Sequence, residues 1–437
     1  MCIPEFPEVE KTDVKISKFH FFSALIFMFQ SLYGFDIDIQ ADSVVLMNAE
    51  TGAVLYEKNA KKAQYPASLT KIATAIYTLQ LRENKLDKML TAEHEAVASV
   101  SEEEMVRSNY TLPSYWLTRG TSHIGIKKGE VLSLQDLLYG MMVASGGDAS
   151  NMIALYMGGT IPVFMEELNV YLNEIGCTAT HFTNPHGLHH PKHLSTAYDM
   201  AILTKEALKN STFREIVKTV RYTRPETNKQ KATTLIQTNR LLRKGKFYYS
   251  KAIGVKTGYT SFAKNNLVAA AKDGDRTLIA VMMHCDDREK MFLDAKRLFN
   301  HAFREKKQSR KVFAAGPQKM KLKAKGASKS ISTYLKEDVV FDYYPSEDPK
   351  VKCLLKWEEL SLPIEKDQVV GALVFENDKG ETVRTETLFA KEDVDYHLIH
   401  RIRQQVTGRK ILKFFGACLA ILFICGLIYE LKKSSSG

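Results

Sequence analysis

The sequence predicts an α+β domain, a small all-β domain after it, and an apolar helix close to the C-terminus. Strand-like segments lie at both ends of residues 42–303, and helix-like segments lie between them. Only short alternating segments occur between residues 311 and 397, and residues 411–429 are apolar except for Lys413. Because strands and helices do not alternate regularly, an α+β domain is favoured over a doubly wound parallel sheet. The length of 437 residues suits two or three folded units.

The first domain, predicted to span residues 35–303, begins with a hairpin and a buried helix. Residues 42–48 and 53–57 are strand-like and are joined by a turn at Thr51-Gly52. From Ser68 to Leu79, apolar residues recur at helical spacing over much of the circumference. A helix that is apolar on most sides is expected to be central and buried.

The rest of the first domain is predicted from the same kinds of pattern. Helices are expected at residues 134–142, 151–157 and 288–303, and another begins near Ser195, where Ser195 and Thr196 can cap it. Strands are expected at residues 253–255, 266–271 and 277–283, with turns at Gly258 and at residues 273–275. The predicted sheet therefore combines strands from both ends of the domain.

The second domain, predicted at residues 311–397, is all-β. The charged segment 304–310 is predicted to be a linker. Strands are expected at residues 311–313, 339–344, 352–357, 369–375 and 382–388, with a hairpin turn at residues 377–380. This domain carries no visible catalytic constellation.

Both ends of the chain resemble membrane-targeting segments. Lys15 and Lys18 precede a short apolar run at residues 19–29, which predicts a secretory signal within residues 1–34; the alternative is a buried helix of the first domain. Nineteen helical residues at 411–429 cover about 28 Å, close to the hydrocarbon thickness, and predict a transmembrane anchor. The basic residues that flank this run favour a cytoplasmic body, but long domains translocate largely regardless of flanking charge. We therefore expect the folded domains on the extracytoplasmic side of the cell membrane.

The composition excludes several classes of protein. The net charge of +11 has no accompanying zinc-finger spacing or RNA-binding aromatic motif, so nucleic acid is not an expected partner. The six cysteines include no C-x-x-C pair, which argues against a zinc site and a disulfide framework, and unpaired buried thiols are expected. Five histidines between residues 181 and 193 lie in a loop broken by Pro and Gly, without nearby carboxylates or cysteines that would favour a metal. Neither a metal nor a cofactor is predicted.

Ser68 and Lys71 form an S-x-x-K arrangement at the start of the buried helix. Residues three apart share a helix face, so the Lys71 amine can reach the Ser68 hydroxyl. A neutral lysine can activate a serine if burial and nearby positive charge lower its pKa. At the start of a helix, the N–H of Ser68 can also stabilise an oxyanion. Taken alone, this motif is more often a surface lysine beside a capping serine than a catalytic pair.

Lys256-Thr257-Gly258 follows a strand-like segment and makes the catalytic interpretation of Ser68 stronger. The Lys256 cation can hold a substrate carboxylate and help to keep Lys71 neutral. Thr257 can hydrogen-bond the same carboxylate, and Gly258 permits a close backbone approach. The alternative is an ordinary hairpin turn.

Ser145 begins the triplet Ser145-Gly146-Gly147 between two predicted helices. A hydroxyl at a helix break can relay a proton to a leaving amine. Taken alone, such a triplet is more often a loop.

In this order, the three motifs resemble those of the penicillin-binding proteins and serine β-lactamases. Longer segments narrow the resemblance to the low-molecular-mass serine D-alanyl-D-alanine carboxypeptidases. These segments are YPASLTKIATA, VLSLQDLLYGMMVASGGDASN, HFTNPHGLHHPKHLSTAYDMA, TNRLL, GVKTGYTSFAKNNLVAAA, LPIEKDQVVGALVF and LFAKEDV. The resemblance covers about residues 40–395. It implies a β-lactamase/transpeptidase-like catalytic domain, an antiparallel sheet flanked by helices, followed by the β domain.

The resemblance also implies a role for each motif residue. Ser68 is the acylated nucleophile, Lys71 its general base and Ser145 the proton relay. Lys256 and Thr257, with Gly258 beside them, bind the terminal carboxylate of the substrate. The N–H groups of Ser68 and Tyr259 form the oxyanion hole.

A further carboxylate-binding residue of the family corresponds to Lys290, with Arg288 nearby. The implied partners are peptidoglycan stem peptides that end in D-Ala-D-Ala and β-lactam antibiotics, which acylate the same serine.

One position departs from the family pattern. The second triplet usually ends in asparagine, whose amide contacts the base lysine and the substrate, whereas this chain has Gly147. Asn151, one helical turn later, is a hypothetical replacement. The departure keeps open a second function, an envelope protein that binds muramyl peptides or penicillin without turnover. A β-lactamase is disfavoured because no deacylating glutamate loop is found and because the β domain and anchor have no role there.

Overall fold

The computed structural model describes residues 24–26, 37–347, 351–377 and 380–398, and the single position 424. The chain forms two compact units, of which the first comprises residues 31–306 and 344–347 and the second comprises the other residues that the structure describes. The strands are β1 Ala24–Ile26, β2 Ser43–Asn48, β3 Val54–Lys58, β4 Met89–Thr91, β5 Ser99–Val100, β6 Leu117–Thr118, β7 Val131–Ser133, β8 Arg221–Arg224, β9 Thr233–Ile236, β10 Ala252–Thr260, β11 Lys264–Asp273, β12 Arg276–Cys285, β13 Gln308–Phe313, β14 Gly316–Leu322, β15 Ile331–Leu335, β16 Val339–Tyr343, β17 Lys352–Trp357, β18 Val369–Glu376 and β19 Thr382–Ala390. The helices are α1 Lys71–Arg82, α2 His94–Val97, α3 Glu102–Arg107, α4 Leu134–Val143, α5 Gly147–Gly158, α6 Ile161–Glu174, α7 Ala197–Ala207, α8 Ser211–Lys218 and α9 Arg288–Phe303.

The first unit is built on a five-stranded antiparallel sheet in the order β10-β11-β12-β2-β3. Strands from both ends of the domain meet where β12 pairs with β2, with Leu278 opposite Asn48 and Met283 opposite Ser43. The predicted α+β class is therefore confirmed. The β10 strand lies at one edge, so one side of its backbone faces the helices rather than another strand of this sheet.

Both faces of this sheet are covered. Alternate residues of β2 point to opposite faces: Val45 and Met47 pack with the helical layer, whereas Val44 and Leu46 pack with α9. Two-sided burial explains why the central strands are almost continuously apolar rather than alternating. The predicted central helix, α1, lies in the larger layer with Ile72 and Leu79 fully buried.

Several predicted elements of the first unit are confirmed, and one turn is wrong. The hairpin, the helix at 288–303 and the helix after Thr196, whose hydroxyl accepts from the N–H of Asp199, are present. Gly258 was predicted in a turn but lies within β10, which runs on to Thr260. This strand approaches the Ser68 turn so closely, as described below, that position 258 has to be glycine. Two helices that bury only one face, α6 and α8, were not predicted.

The second unit is β-rich, as predicted. Its largest sheet has the order β1-β17-β18-β19-β15-β14, and β13 pairs with β16. The predicted linker 304–310 overlaps β13, whose polar residues alternate with a half-buried face. β14 and β15 were not predicted because lysine, serine and glycine obscure the alternation there.

Other predictions concern cysteines and the chain ends. Cys177, Cys285 and Cys353 are buried free thiols, as expected. Within the predicted signal segment, β1 pairs with β17. No helix among the described residues is long and apolar enough to cross a bilayer. The predicted anchor at 411–429 lies outside the described residues apart from position 424.

Candidate active site

Ser68 lies in a short 3-10 turn, Ala67–Thr70, that leads directly into α1. Ala67 has a φ of +50°, so the backbone turns sharply just before the serine. Ser68 is partly exposed, whereas Ala67, Leu69 and Thr70 are buried. The first N–H groups of a helical segment have no partner within the helix, so the N–H of Ser68 is suited to an oxyanion.

Lys71 is the first residue of α1 and is 1% exposed. Its Nζ lies 3.0 Å from Ser68 Oγ and donates to the carbonyl oxygen of His186 at 2.6 Å. Burial, and after it the charge of Lys256, hold the pKa of Lys71 well below its ordinary value, while the Asp148 carboxylate acts in the opposite direction. An uncharged amine in hydrogen-bonding contact with a serine hydroxyl can accept its proton.

Two histidines of the 181–193 loop hold the turn and the base lysine in place. His186 Nδ1 accepts from the N–H of Leu188 at 3.1 Å, and its Nε2 lies 3.0 Å from the carbonyl oxygen of Tyr115. Burial and then the charge of Lys71 lower the pKa of His186 to about 3, so the ring is neutral. His193 Nδ1 accepts from the N–H of Thr183, and its Nε2 contacts Thr70 Oγ1 at 2.8 Å.

Sequence reasoning missed both positioning roles, since only the tertiary fold brings this loop to α1.

Among the described residues, no group of three or more His, Cys, Asp or Glu side chains could hold a metal ion.

Lys256 lies on the edge strand β10 and is fully buried. Its Nζ donates to the carbonyl oxygen of Thr257 at 2.9 Å. Burial and then the charge of Arg288 lower the pKa of Lys256 to about 7. Thr257 Oγ1 donates to Thr238 Oγ1 at 2.8 Å. The charge of Lys256 lowers the pKa of Lys71, as predicted, and burial lowers that pKa more than the charge does.

Gly258 brings β10 against the Ser68 turn by direct backbone contact. A Cβ at this position would lie 2.9 Å from the Pro66 carbonyl oxygen and 3.0 Å from the Ser68 nitrogen. The predicted close approach is therefore confirmed, and only glycine fits it. Tyr259 follows in the same strand, with its side chain 65% exposed. On the neighbouring strand, Asn266 Nδ2 donates to the carbonyl oxygen of Tyr65 at 2.8 Å and holds the same turn.

Ser145 lies between α4 and α5 with a φ of +66° and is 5% exposed. Its hydroxyl has no hydrogen-bond partner within the described part of the chain, so it is available to a substrate group. Three residues later, the Asp148 carboxylate accepts from the N–H groups of Ile124 and Ile126 at 3.1 and 2.9 Å. The charge of Asp148 also acts on Lys71, whose pKa it raises against the effects of burial and Lys256.

The position of the missing asparagine is covered by a loop. A Cβ on Gly147 would lie 3.2 Å from Leu117 Cδ2 and 3.3 Å from Thr121 Cγ2. Asn151 is fully buried, and its Nδ2 donates to the carbonyl oxygens of Ala96 and Tyr115 at 3.2 and 2.9 Å. The amide of Asn151 therefore holds two loops, which does not favour the hypothesis that it replaces the missing asparagine.

Of the two candidate residues after β12, Arg288 is the one whose charge acts on Lys256. The backbone N–H of Lys290 donates to Asp287 Oδ1 at 3.1 Å, which caps α9, and its side chain is exposed. The structure therefore favours Arg288 over Lys290 as the additional cation near β10, and the carboxylate-binding role of Lys290 remains a prediction.

Comparison with known proteins connects this geometry to a family. Residues 31–287 match the peptidase S11 model, described as D-alanyl-D-alanine carboxypeptidase, and residues 308–396 match the C-terminal domain of penicillin-binding protein 5. The D-alanyl-D-alanine carboxypeptidase DacF of Bacillus subtilis is 33% identical over 81% of this chain and 86% of its own length. DacC of Escherichia coli is 29% identical over 85% of this chain and 90% of its own length.

Solved structures agree with the sequence comparisons. Penicillin binding protein 5 of Haemophilus influenzae has 27% identity and a TM-score of 0.57, over 83% of this chain and 100% of that chain. The resemblance inferred from the motifs is thereby confirmed. The chain belongs to the peptidase S11 family of serine-type D-alanyl-D-alanine carboxypeptidases and carries a penicillin-binding protein 5 C-terminal domain after its catalytic domain.

Proposed function

We propose that this chain removes the terminal D-alanine from peptidoglycan stem peptides through an acyl-enzyme on Ser68. The observation that carries the proposal is the buried Lys71 amine, 3.0 Å from the Ser68 hydroxyl, whose pKa is held well below its ordinary value by burial and then by the charge of Lys256. The family membership supports the reaction. The roles of the individual residues are proposed from the geometry.

In the acylation step, Lys71 accepts the proton of Ser68 Oγ as this oxygen attacks the carbonyl carbon of the penultimate D-alanine. The N–H groups of Ser68 and Tyr259 bind the oxyanion of the tetrahedral intermediate. The C–N bond then breaks as the proton held by Lys71 is relayed through the Ser145 hydroxyl to the leaving amine of the terminal D-alanine, which returns Lys71 to its neutral form. Lys256 and Thr257 hold the carboxylate of that residue, and Lys290 is a further proposed contact for it.

In the deacylation step, water attacks the ester carbonyl carbon, and Lys71 accepts a proton from this water. The ester C–O bond breaks, the proton returns to Ser68 Oγ, and the shortened peptide leaves with a new carboxylate. A β-lactam would acylate the same serine when its ring amide opens, since its carbonyl and carboxylate resemble those of the peptide. No metal or cofactor takes part in this scheme.

The test uses the purified full chain and the peptide diacetyl-Lys-D-Ala-D-Ala. Released D-alanine is measured, together with labelling by a fluorescent penicillin. The expected result is release that disappears in Ser68→Ala and persists in Ser101→Ala, a matched control in which the serine only caps α3. Equal release from the Ser68→Ala variant and the unaltered chain would overturn the proposal.

Gly147 supports a second candidate function, a protein that binds muramyl peptides or penicillin without turnover. Without the amide of an asparagine, orientation of the acyl chain depends on the surrounding backbone, and turnover is expected to be slower. Stoichiometric penicillin labelling without release of D-alanine would favour this candidate over the carboxypeptidase.

We further propose an extracytoplasmic location with a single C-terminal anchor. The support is sequence alone: the signal-like residues 1–34 and the apolar run 411–429. The full chain is expected to float with phosphatidylcholine vesicles in a density gradient. Replacing Leu422 and Leu427 by arginine should abolish flotation, whereas Leu398→Arg, outside the run, should not. Flotation of the double variant would contradict the anchor.

A further inference from the structure

The exposed edge strand of the second unit carries regularly spaced lysines. In β14 and the residues after it, Lys319, Lys321, Lys323 and Lys325 are exposed, and we call these four side chains the lysine face. The exposed lysines alternate with Met320, Leu322 and Ala324, which pack against the core of the unit, so the four side chains lie on the side of this segment that faces away from the core.

The sequence around this face contains no acidic residue. Residues 312–336 contain six lysines and no acidic residue. Lys329 pairs with Glu392, but Lys321, Lys323 and Lys325 form no ion pair with any described residue. Uncompensated ammonium groups in a row attract an extended anionic surface more strongly than a single small anion.

The backbone places the lysine face beside the point where the chain leaves the unit. The N–H of His397 donates to the carbonyl oxygen of Gly326 at 2.7 Å, and the N–H of Ser328 donates to that of Asp395 at 2.8 Å. The residues directly after Lys325 are thus hydrogen-bonded to the last residues before position 399. Only twelve residues of sequence, which include three arginines and Lys410, separate Leu398 from the apolar run 411–429.

We propose that the lysine face binds the anionic headgroups of the bilayer in which residues 411–429 are anchored. This inference rests on the proposed anchor. A tether of this length keeps the lysine face close to the membrane surface, where each lysine favours approach to anionic lipid by about fivefold. The contact orients the β domain on the bilayer.

A simpler account of these lysines is protection of an exposed sheet edge against pairing with another strand. That account requires charge at the edge but no lipid. The two explanations differ in one measurable respect, because only headgroup binding makes the lysines less reactive when the vesicle is anionic.

The experiment is acetylation footprinting of the full chain, reconstituted in vesicles of phosphatidylcholine alone or mixed with phosphatidylglycerol. Acetylation rates are read for each lysine by mass spectrometry. Lys321, Lys323 and Lys325 are expected to react at least about threefold more slowly in the anionic vesicles. The protection should be lost in about 1 M salt, where the Debye length is about 3 Å. Lys85, Lys88 and Lys128, exposed in the first unit, should react equally in both vesicles.

A triple variant tests whether the slower acetylation comes from binding of lipid by the whole face or from the reactivity of each single lysine. In K321Q/K323Q/K325Q, Lys319, the remaining lysine of the face, should be acetylated at equal rates in neutral and anionic vesicles, whereas K85Q/K88Q/K128Q should leave the protection of the face unchanged. Equal rates in neutral and anionic vesicles would overturn the proposal in favour of edge protection. Protection by soluble poly(glycerol phosphate), with none by anionic vesicles, would equally overturn the choice of a bilayer.

The flotation result keeps the two proposals distinct. If the chain does not float with neutral vesicles, the anchor proposal fails. The lysine-face proposal is then tested by adding anionic vesicles to the chain and measuring the same ratio of acetylation rates. Slower acetylation in their presence supports the proposal, and unchanged rates overturn it.

Discussion

At Lys71, burial and the charge of Lys256 lower the pKa together, which favours the proposed role of this lysine as a base before any substrate arrives. Lys256 is itself fully buried, and Arg288 lowers its pKa further. The free site therefore holds two lysines with opposed requirements: Lys71 has to be neutral, and Lys256 has to be charged to hold a carboxylate. A bound substrate carboxylate satisfies the second requirement by raising the pKa of Lys256.

The first prediction concerns the pH dependence of acylation by a fluorescent penicillin. The rate constant at low penicillin concentration should fall as pH rises through about 7, where Lys256 of the free protein loses its proton. Arg288→Gln removes a positive charge, so the pKa of Lys256 should rise and the descending limb should move up by about 0.5 pH unit at low ionic strength. Lys85→Gln, which removes an exposed charge outside the site, is the control and should leave the limb in place. An unmoved limb in Arg288→Gln would contradict the assignment.

The second prediction concerns the free energy of unfolding. Between pH 7 and 10.5 the unfolded chain binds a proton at Lys256 that the folded chain does not, so this lysine makes stability rise with pH. Lys256→Met should remove up to about 1.4 kcal/mol per pH unit of that slope. Below pH 7 the variant should be more stable than the unaltered chain, because no buried charge remains. Urea unfolding at several pH values checks this, with Lys290→Met as an exposed control whose slope should not change.

At the scale of the elements, the site is assembled by backbone contacts between segments far apart in sequence. Gly258 of β10 meets the Ser68 turn, and Gly187 of the histidine loop meets it from another side. A Cβ on Gly187, whose φ is +90°, would lie 1.9 Å from the carbonyl oxygen of Ala67. These contacts leave no space for adjustment, so the geometry at Ser68 depends on glycine at both positions.

The third prediction is that Gly258→Ala reduces acylation far more than it reduces stability. The new methyl group meets backbone atoms of Pro66 and Ser68, so β10 has to move away from the turn, and the two oxyanion donors separate. Loss of one aligned oxyanion donor lowers the acylation rate by a factor of about 10²–10³. The measurement is the acylation rate of the folded variant, with folding monitored by circular dichroism. Gly274→Ala strains a remote turn with a φ of +59° and no nearby atoms, so it should lower stability but leave the rate unchanged.

The same contacts show what the sequence could and could not predict. The helix from Ser68, the strands of the sheet and α9 follow from local periodicity, and the three motifs predict the site residues through the family resemblance. Gly258 was assigned to a turn because glycine usually indicates one locally, whereas here a tertiary contact requires it. His186 and His193 have no local signal for their positioning roles, since their partners lie on α1, on the turn before it and near Tyr115.

At the scale of the molecule, the boundary of the first unit does not follow chain order. Residues 344–347 belong to that unit although β13 and β16 precede them. They bring Glu347 to Arg276, which is 2% exposed and also donates to the carbonyl oxygen of Ala302 at 2.6 Å and to Glu305 at 3.1 Å. Burial raises the pKa of Glu347 although Arg276 acts in the opposite direction. A catalytic unit cut after residue 306 would lack this carboxylate.

The fourth prediction follows from that arrangement: Glu347→Gln in the full chain should destabilise the first unit. The substitution leaves a buried guanidinium with one carboxylate instead of two, and breaking a buried pair on one side costs about 3–5 kcal/mol when no other partner remains. Since Glu305 remains, a loss of about 2 kcal/mol is expected from denaturant unfolding that is monitored by penicillin labelling. Glu392→Gln breaks a half-exposed pair with Lys329 and should cost less than about 1 kcal/mol. Equal effects of the two substitutions would show that Arg276 does not need Glu347, and a unit ending at residue 306 should then be as stable as the intact chain.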